Sequence, residues 1–128
     1  MPTVTRIDSR TKTAIVTATG TVSGSDICGT LEALYADSRF KPGMRELWDL
    51  RLAQADVSVA DIQNIVAVGQ RGTERRGAGK TAVVTLHDYE VGMANVLRAQ
   101  VESLPVDVKV FRDYGEAELW LSDLQCSE

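Results

Sequence analysis

The sequence predicts an α/β fold: a mixed sheet of about five strands covered by four helices, in the order ββαβαβαβα. Three observations carry this. Alternating, β-branched runs regularly give way to runs with apolar residues at helical spacing. The first two strand-like runs are separated by a short polar turn, so the chain opens with a hairpin and one antiparallel pair. No linker, repeat or low-complexity tract interrupts the pattern, so residues 1–128 are expected to form a single domain.

Val4 to Asp8 alternates in the strand manner, Asp8 to Thr11 is a polar turn, and Lys12 to Gly20 is the second strand of the hairpin. Ser23-Gly24-Ser25-Asp26 supplies small polar residues for a helix start, and Ile27, Leu31, Leu34 and Tyr35 follow at helical spacing. Lys41-Pro42-Gly43 breaks the chain before a short apolar strand, Glu46 to Leu52. Ser58 can cap a second helix with the face Val59, Ile62, Ile65, Val66 and Gly69, ending at Gly69 or Gly72. Thr81 to Leu86 is apolar enough for a buried parallel strand. Tyr89 to Leu104 repeats apolar residues at helical spacing and stops before Pro105, Val106 to Phe111 is the last strand, and Asp113 with Glu116 has the spacing of a capping box. Ala117, Trp120, Leu121 and Leu124 form the face of the final helix. Strand–helix alternation implies parallel pairing through right-handed crossovers.

Composition narrows the function classes. The net charge of −4 argues against nucleic acid as a partner, because phosphate binding needs a basic face. No apolar run approaches the roughly 20 residues that span a bilayer, and the N-terminus lacks the apolar core of a secretory signal. Cys28 and Cys126 are far apart, outside any metal-ligand spacing, and read as reduced thiols, which points to a cytoplasmic protein. His87 is the one histidine, so no metal site and no cofactor are expected.

The stretches Leu47-Trp48-Asp49-Leu50-Arg51, Phe111-Arg112-Asp113-Tyr114-Gly115-Glu116-Ala117 and Leu119-Trp120-Leu121 resemble the small SpoIIAA-like proteins. Those proteins are similar to STAS domains, the fold of anti-sigma factor antagonists, and are described beside Sec14-type lipid-binding domains. The resemblance runs from the first strand to Leu124. It implies a STAS-like domain and a phosphorylatable serine at the start of the helix after the third strand. Ser58 is the hydroxyl at that place, flanked by Val57 and Val59 instead of the Asp-Ser-Ser-Gly pattern. From the residues alone, Ser58 is a helix N-cap; from the resemblance, it is a candidate phospho-switch.

Gly77-Ala78-Gly79-Lys80-Thr81 ends like a phosphate-gripping P-loop. Glu74 stands where the first glycine belongs, and the stretch follows a helix and enters a strand, the reverse of the P-loop order. It reads as a turn between helix and strand, its Arg71, Arg75 and Arg76 suited to a helix C-terminus or to docking an acidic partner. In a parallel sheet ligands collect beyond the carboxyl ends of the strands. Asp49, Arg51, Asp56, His87, Asp88 and Arg112 fall near those ends and form the candidate carboxyl-edge binding site. Asp49 lies in a buried strand and needs a partner, for which Arg51, on the same face, is placed. No nucleophile accompanies His87, so no catalytic residue is assigned and no enzyme is expected. Trp48 and Trp120 are read as packing residues, and Cys28 as a buried structural cysteine.

The function expected is therefore a non-catalytic STAS-like regulatory or interaction module whose partner is another protein or a second copy in a homodimer. The alternative is a protein that binds a small apolar ligand or lipid between helices and sheet.

Overall fold

The computed structural model describes residues 2–77 and 79–122, with the backbone alone at 73–76. Its elements are β1 (Thr3–Asp8), β2 (Thr13–Ser23), α1 (Gly24–Ala36), β3 (Arg45–Asp56), α2 (Val59–Arg76), β4 (Gly79–Val84), α3 (Asp88–Gln100), β5 (Val106–Phe111) and α4 (Tyr114–Ser122). The strands lie side by side in chain order, β1 antiparallel to β2 and all later neighbours parallel. Right-handed crossovers between strands that always step the same way put every connecting helix on one side. Accordingly Leu31 of α1, Ile62 and Ile65 of α2 and Ala94 of α3 share a core with Val16, Trp48 and Val83. Among the described residues the opposite face is covered by α4, through Ala117 and Leu121 against Leu47, Ala82 and Val84.

β3 is far longer than its apolar run suggested. Glu46 to Asp49 pair with both neighbours, whereas Leu52 to Asp56 pair with β2 only. Between the two halves the register slips: Asp49 faces Thr17 but Leu52 faces Thr19, so β3 carries one extra residue, a β-bulge. A bulge reverses the alternation. Before it the even residues, Trp48 and Leu50, face the three-helix layer; after it Ala53 and Ala55 do. The bulge leaves a backbone N–H to satisfy, and the Asp49 Oδ1 accepts it from Arg51 at 3.2 Å.

Further boundaries differ from the sequence reading, beginning with β2, which runs past Gly20 to Ser23 because its last residues pair with β3. α2 passes through Gly69 and Gly72 and runs to Arg76, with Gly77 at φ 64° after its end. Gly72 is a packing position: a Cβ there would stand 2.3 Å from the Tyr35 ring. β4 begins at Gly79 and ends at Val84, because Gly79 and Lys80 already pair with Val106 and Asp107. Thus Leu86 lies beyond the strand. α3 closes at Gln100, and Leu104 N–H turns back to the Val101 carbonyl at 2.9 Å, ahead of Pro105. Leu124 and Cys126 lie outside the described residues, as do the side chains of Arg75 and Arg76.

α1 and α2 run parallel and touch at both ends. Gly24 sits against Asp61, where an added Cβ would come within 2.6 Å of the Asp61 Cβ, and Gly72 sits under Tyr35. Gly24→Ala and Gly72→Ala are each expected to cost about 1–3 kcal/mol by urea denaturation, since neither contact can open without separating the helices. Gly29→Ala, with open space at its Cβ, should be no less stable than the parent.

Candidate functional site

The residues singled out at the carboxyl edge divide into three local groups. Asp49 and Arg51 pair bidentately, Arg51 Nη2 donating to Asp49 Oδ2 at 2.8 Å and Nε to Oδ1 at 2.9 Å. The guanidinium lies 4.7 Å from the centre of the Tyr114 ring, so this group belongs to the α4 face. Arg51 holds the Asp49 carboxyl below the usual carboxylate range by hydrogen bonding, against the opposing effect of burial. Burial, with Glu118 and Asp49 nearby, pushes the Tyr114 hydroxyl up.

The second group is Asp88 with Arg112. The guanidinium donates to Asp88 Oδ1 and, at 3.2 Å, to the Leu86 carbonyl. This ties the residue after β5 to the loop after β4, while the Asp88 side chain stays 93% exposed. His87 sits at the N-cap position of α3, exposed and with no side-chain cap bond. Its backbone N–H reaches the buried Thr85 hydroxyl at 3.4 Å. Among the described residues its ring bonds to neither Asp49 nor Asp88.

Ser58 forms the third group. Its Oγ accepts the Asp61 N–H at 3.1 Å, and Asp61 Oδ2 accepts the Ser58 N–H at 2.9 Å, a reciprocal capping box that starts α2. The Tyr89 hydroxyl donates to the Val57 carbonyl at 2.5 Å, clasping α3 to the same loop. Asp56 is exposed at the end of β3. The structure thus spreads these residues along the edge in separate pairs. A strand order that never reverses also gives the sheet no switch point at which crossovers part to open a crevice.

Space opens elsewhere, between the sheet and the three-helix layer. A cavity of about 130 Å³ is bounded by Leu31, Trp48, Ile65, Val83, Met93 and Ala94. Two carboxyl groups that sequence reasoning missed line it, Glu46 and Glu90, 1% and 4% exposed. Glu46 accepts from Trp48 Nε1 at 2.9 Å and from the Tyr35 hydroxyl at 3.2 Å. Glu90, in the first turn of α3, accepts the Ala55 N–H at 2.8 Å through Oε2. Both were legible: Glu46 alternates with Trp48 and Leu50, and Glu90 precedes Met93, Ala94 and Leu97 at helical spacing.

Cys28 packs partly buried beside this core, and burial, with Glu32 and Asp61, pushes its thiol up, away from the thiolate that a helix start would favour. At the amino edge, Lys80 of the P-loop-like stretch donates to the Trp120 carbonyl at 3.1 Å and lies over that indole ring. A wide groove there is lined by Arg45, Lys80, Arg98 and Lys109 together with Glu102 and Asp107, so its charge is mixed. Among the described residues no three His, Cys, Asp or Glu side chains gather in a way that could hold a metal ion, and no helix is long and apolar enough to cross a membrane.

A crystal structure of an uncharacterised protein from the DUF3478 family of Shewanella loihica PV-4, described as having a SpoIIAA-like fold, superposes on this chain with a TM-score of 0.61. The match covers 93% of this chain and 91% of that one at 15% identity. This chain has a SpoIIAA-like fold. At that identity the likeness speaks for the SpoIIAA-like architecture alone. No protein-family model matches the sequence, and no curated protein is significantly similar to it.

Two expected outcomes follow from the pairs. Ser58→Ala removes the acceptor for an otherwise orphan N–H and should cost about 1 kcal/mol in chemical denaturation. The Asp49 carboxyl is depressed in the folded state, so its stabilisation is present above its unfolded pKa and fades as pH falls through its folded value. Asp49→Asn should therefore be about 1–2 kcal/mol less stable at pH 7, with the gap to the parent closing below about pH 4. A gap independent of pH would place the loss in packing.

Proposed function

We propose that this chain is a non-catalytic, STAS-like module that works by binding another protein or a second copy of itself at the carboxyl edge of its sheet. The observation that carries this reading is the apolar exposure there: Leu52, Val59, Leu86 and Tyr89 are each more than half exposed, around the capped start of α2 and the start of α3. Charged groups of both signs stand along the same edge, Asp88 with Arg112 next to Leu86 and Tyr89 and, on the α4 side, Asp49 with Arg51 next to Leu52, the mixture found at the rim of a protein interface. His87 and Asp88 turn to solvent, an arrangement that suits contact with a partner. A phosphate on Ser58 would replace its capping hydroxyl and stand beside the Asp61 carboxylate, so modification would alter this edge electrostatically.

A second reading, in which the protein binds a small apolar ligand, is favoured by the cavity beneath the helix layer.

Native mass spectrometry of the purified protein tests both. The interaction reading expects a dimer, or a complex with a co-purifying protein, that is lost in Leu52→Glu/Leu86→Glu. The ligand reading expects a monomer carrying a small added mass. A monomer without added mass at all concentrations up to about 100 μM, with affinities weaker than about −5 kcal/mol, would contradict both.

A further inference from the structure

We infer that the cavity under α1, α2 and α3 binds a small, neutral, mainly hydrocarbon molecule carrying one hydroxyl donor, which it presents to Glu90. This rests on the ligand reading above and specifies its chemistry. Three features of the cavity lead there.

The first is size. At about 130 Å³ the space is close to the apolar cavity of about 150 Å³ that accepts benzene. It holds a ring or a short branched chain, and a lipid acyl chain exceeds it. The second is the wall, which is mainly apolar, with Leu31, Ile65, Val83, Met93 and Ala94 in it; of its polar members, Tyr35, Glu46 and Trp48 bond to one another. The third is the second of the two carboxyl groups in that wall. Glu90 is 4% exposed and belongs to the lining, yet Oε2 alone is engaged, by the Ala55 N–H. Among the described residues Oε1 receives no hydrogen bond. A carboxyl buried in apolar surroundings is costly unless its oxygens are satisfied, and the first turn of a helix relieves only part of that cost. A donor on the ligand would satisfy it. The same bond would orient the molecule, with its hydrocarbon body lying toward Trp48, Val83 and Leu97.

The Ala55 N–H reports on the site directly, because it shares the Glu90 carboxyl with the ligand. Toluene and benzyl alcohol differ by the hydroxyl alone and serve as probes. In titrations followed by amide and indole NMR shifts, benzyl alcohol should bind about tenfold more tightly than toluene, the worth of one hydrogen bond to a buried carboxyl oxygen. It should move both the Ala55 amide and the Trp48 indole resonances. Ala94→Leu, which fills the space, should abolish binding of both probes, and Glu90→Met should bring their affinities together. If neither probe binds, the inference and the ligand reading fall together. If toluene binds as tightly as benzyl alcohol, the donor inference falls and the ligand reading stands. Binding of benzyl alcohol that survives Ala94→Leu lies outside the cavity and overturns the inference. The comparison of the two probes on the parent protein decides the matter even if Glu90→Met folds poorly.

Discussion

The bulge in β3 is the feature on which the rest of the architecture depends. One extra residue between Asp49 and Leu52 moves the second half of the strand by a side-chain step, so that Ala53, Ala55 and Val57 turn toward the helices. The Asp49 carboxyl holds the irregularity in place, taking the Arg51 backbone N–H and its guanidinium together. A carboxylate with three bonds from one neighbouring residue, two of them at 2.8–2.9 Å from the guanidinium, is well satisfied despite its burial, and the Tyr114 ring lies against that guanidinium. What looked like a functional pair in the candidate site is thus best understood by what it does to the strand.

From there the consequences reach the helix layer. The turned half of β3 presents the Ala55 N–H to Glu90, which fixes the first turn of α3 over the sheet. Tyr89, one residue earlier, holds the same helix to Val57. α1 and α2 are pressed together at Gly24 and Gly72, whereas α3 is held to β3 chiefly at its first turn. The cavity lies below this arrangement, with Glu46 and Glu90 among the residues lining it. A strand order that never reverses puts three helices on one face and one on the other, so the space develops inside the thicker layer rather than at a crevice in the sheet edge.

The order of elements was legible because each helix announces itself by apolar spacing, α1 and α2 also by a small polar start at Ser23 and Ser58, and the short last strand by its β-branched run. Boundaries were less so. Gly69 and Gly72 resemble helix ends, yet both lie within α2, and Gly72 is there because Tyr35 leaves no room for a Cβ. The second half of β3 was hidden because a bulge breaks the alternation by which a strand is recognised; Leu52 closes the apolar run in sequence and is 76% exposed. The local pairing of Asp49 with Arg51 could be inferred from spacing, but that the His87 ring bonds to neither Asp49 nor Asp88 could not, since loop residues at a sheet edge share no periodicity. Glu90 was legible by its place on an apolar helix face, at helical spacing from Met93, Ala94 and Leu97.

The reversal of facing within β3 is open to one direct measurement, the methyl–methyl nuclear Overhauser effects of Ala53. With the bulge where the register places it, the Ala53 methyl shares a cluster with Val22 and Ile27, and cross-peaks to both are expected, while Leu52 shows none to the helix layer. An uninterrupted alternation would do the opposite. Cross-peaks from Leu52 to Ile27, with Ala53 silent, would contradict the bulge and with it the wall of the cavity.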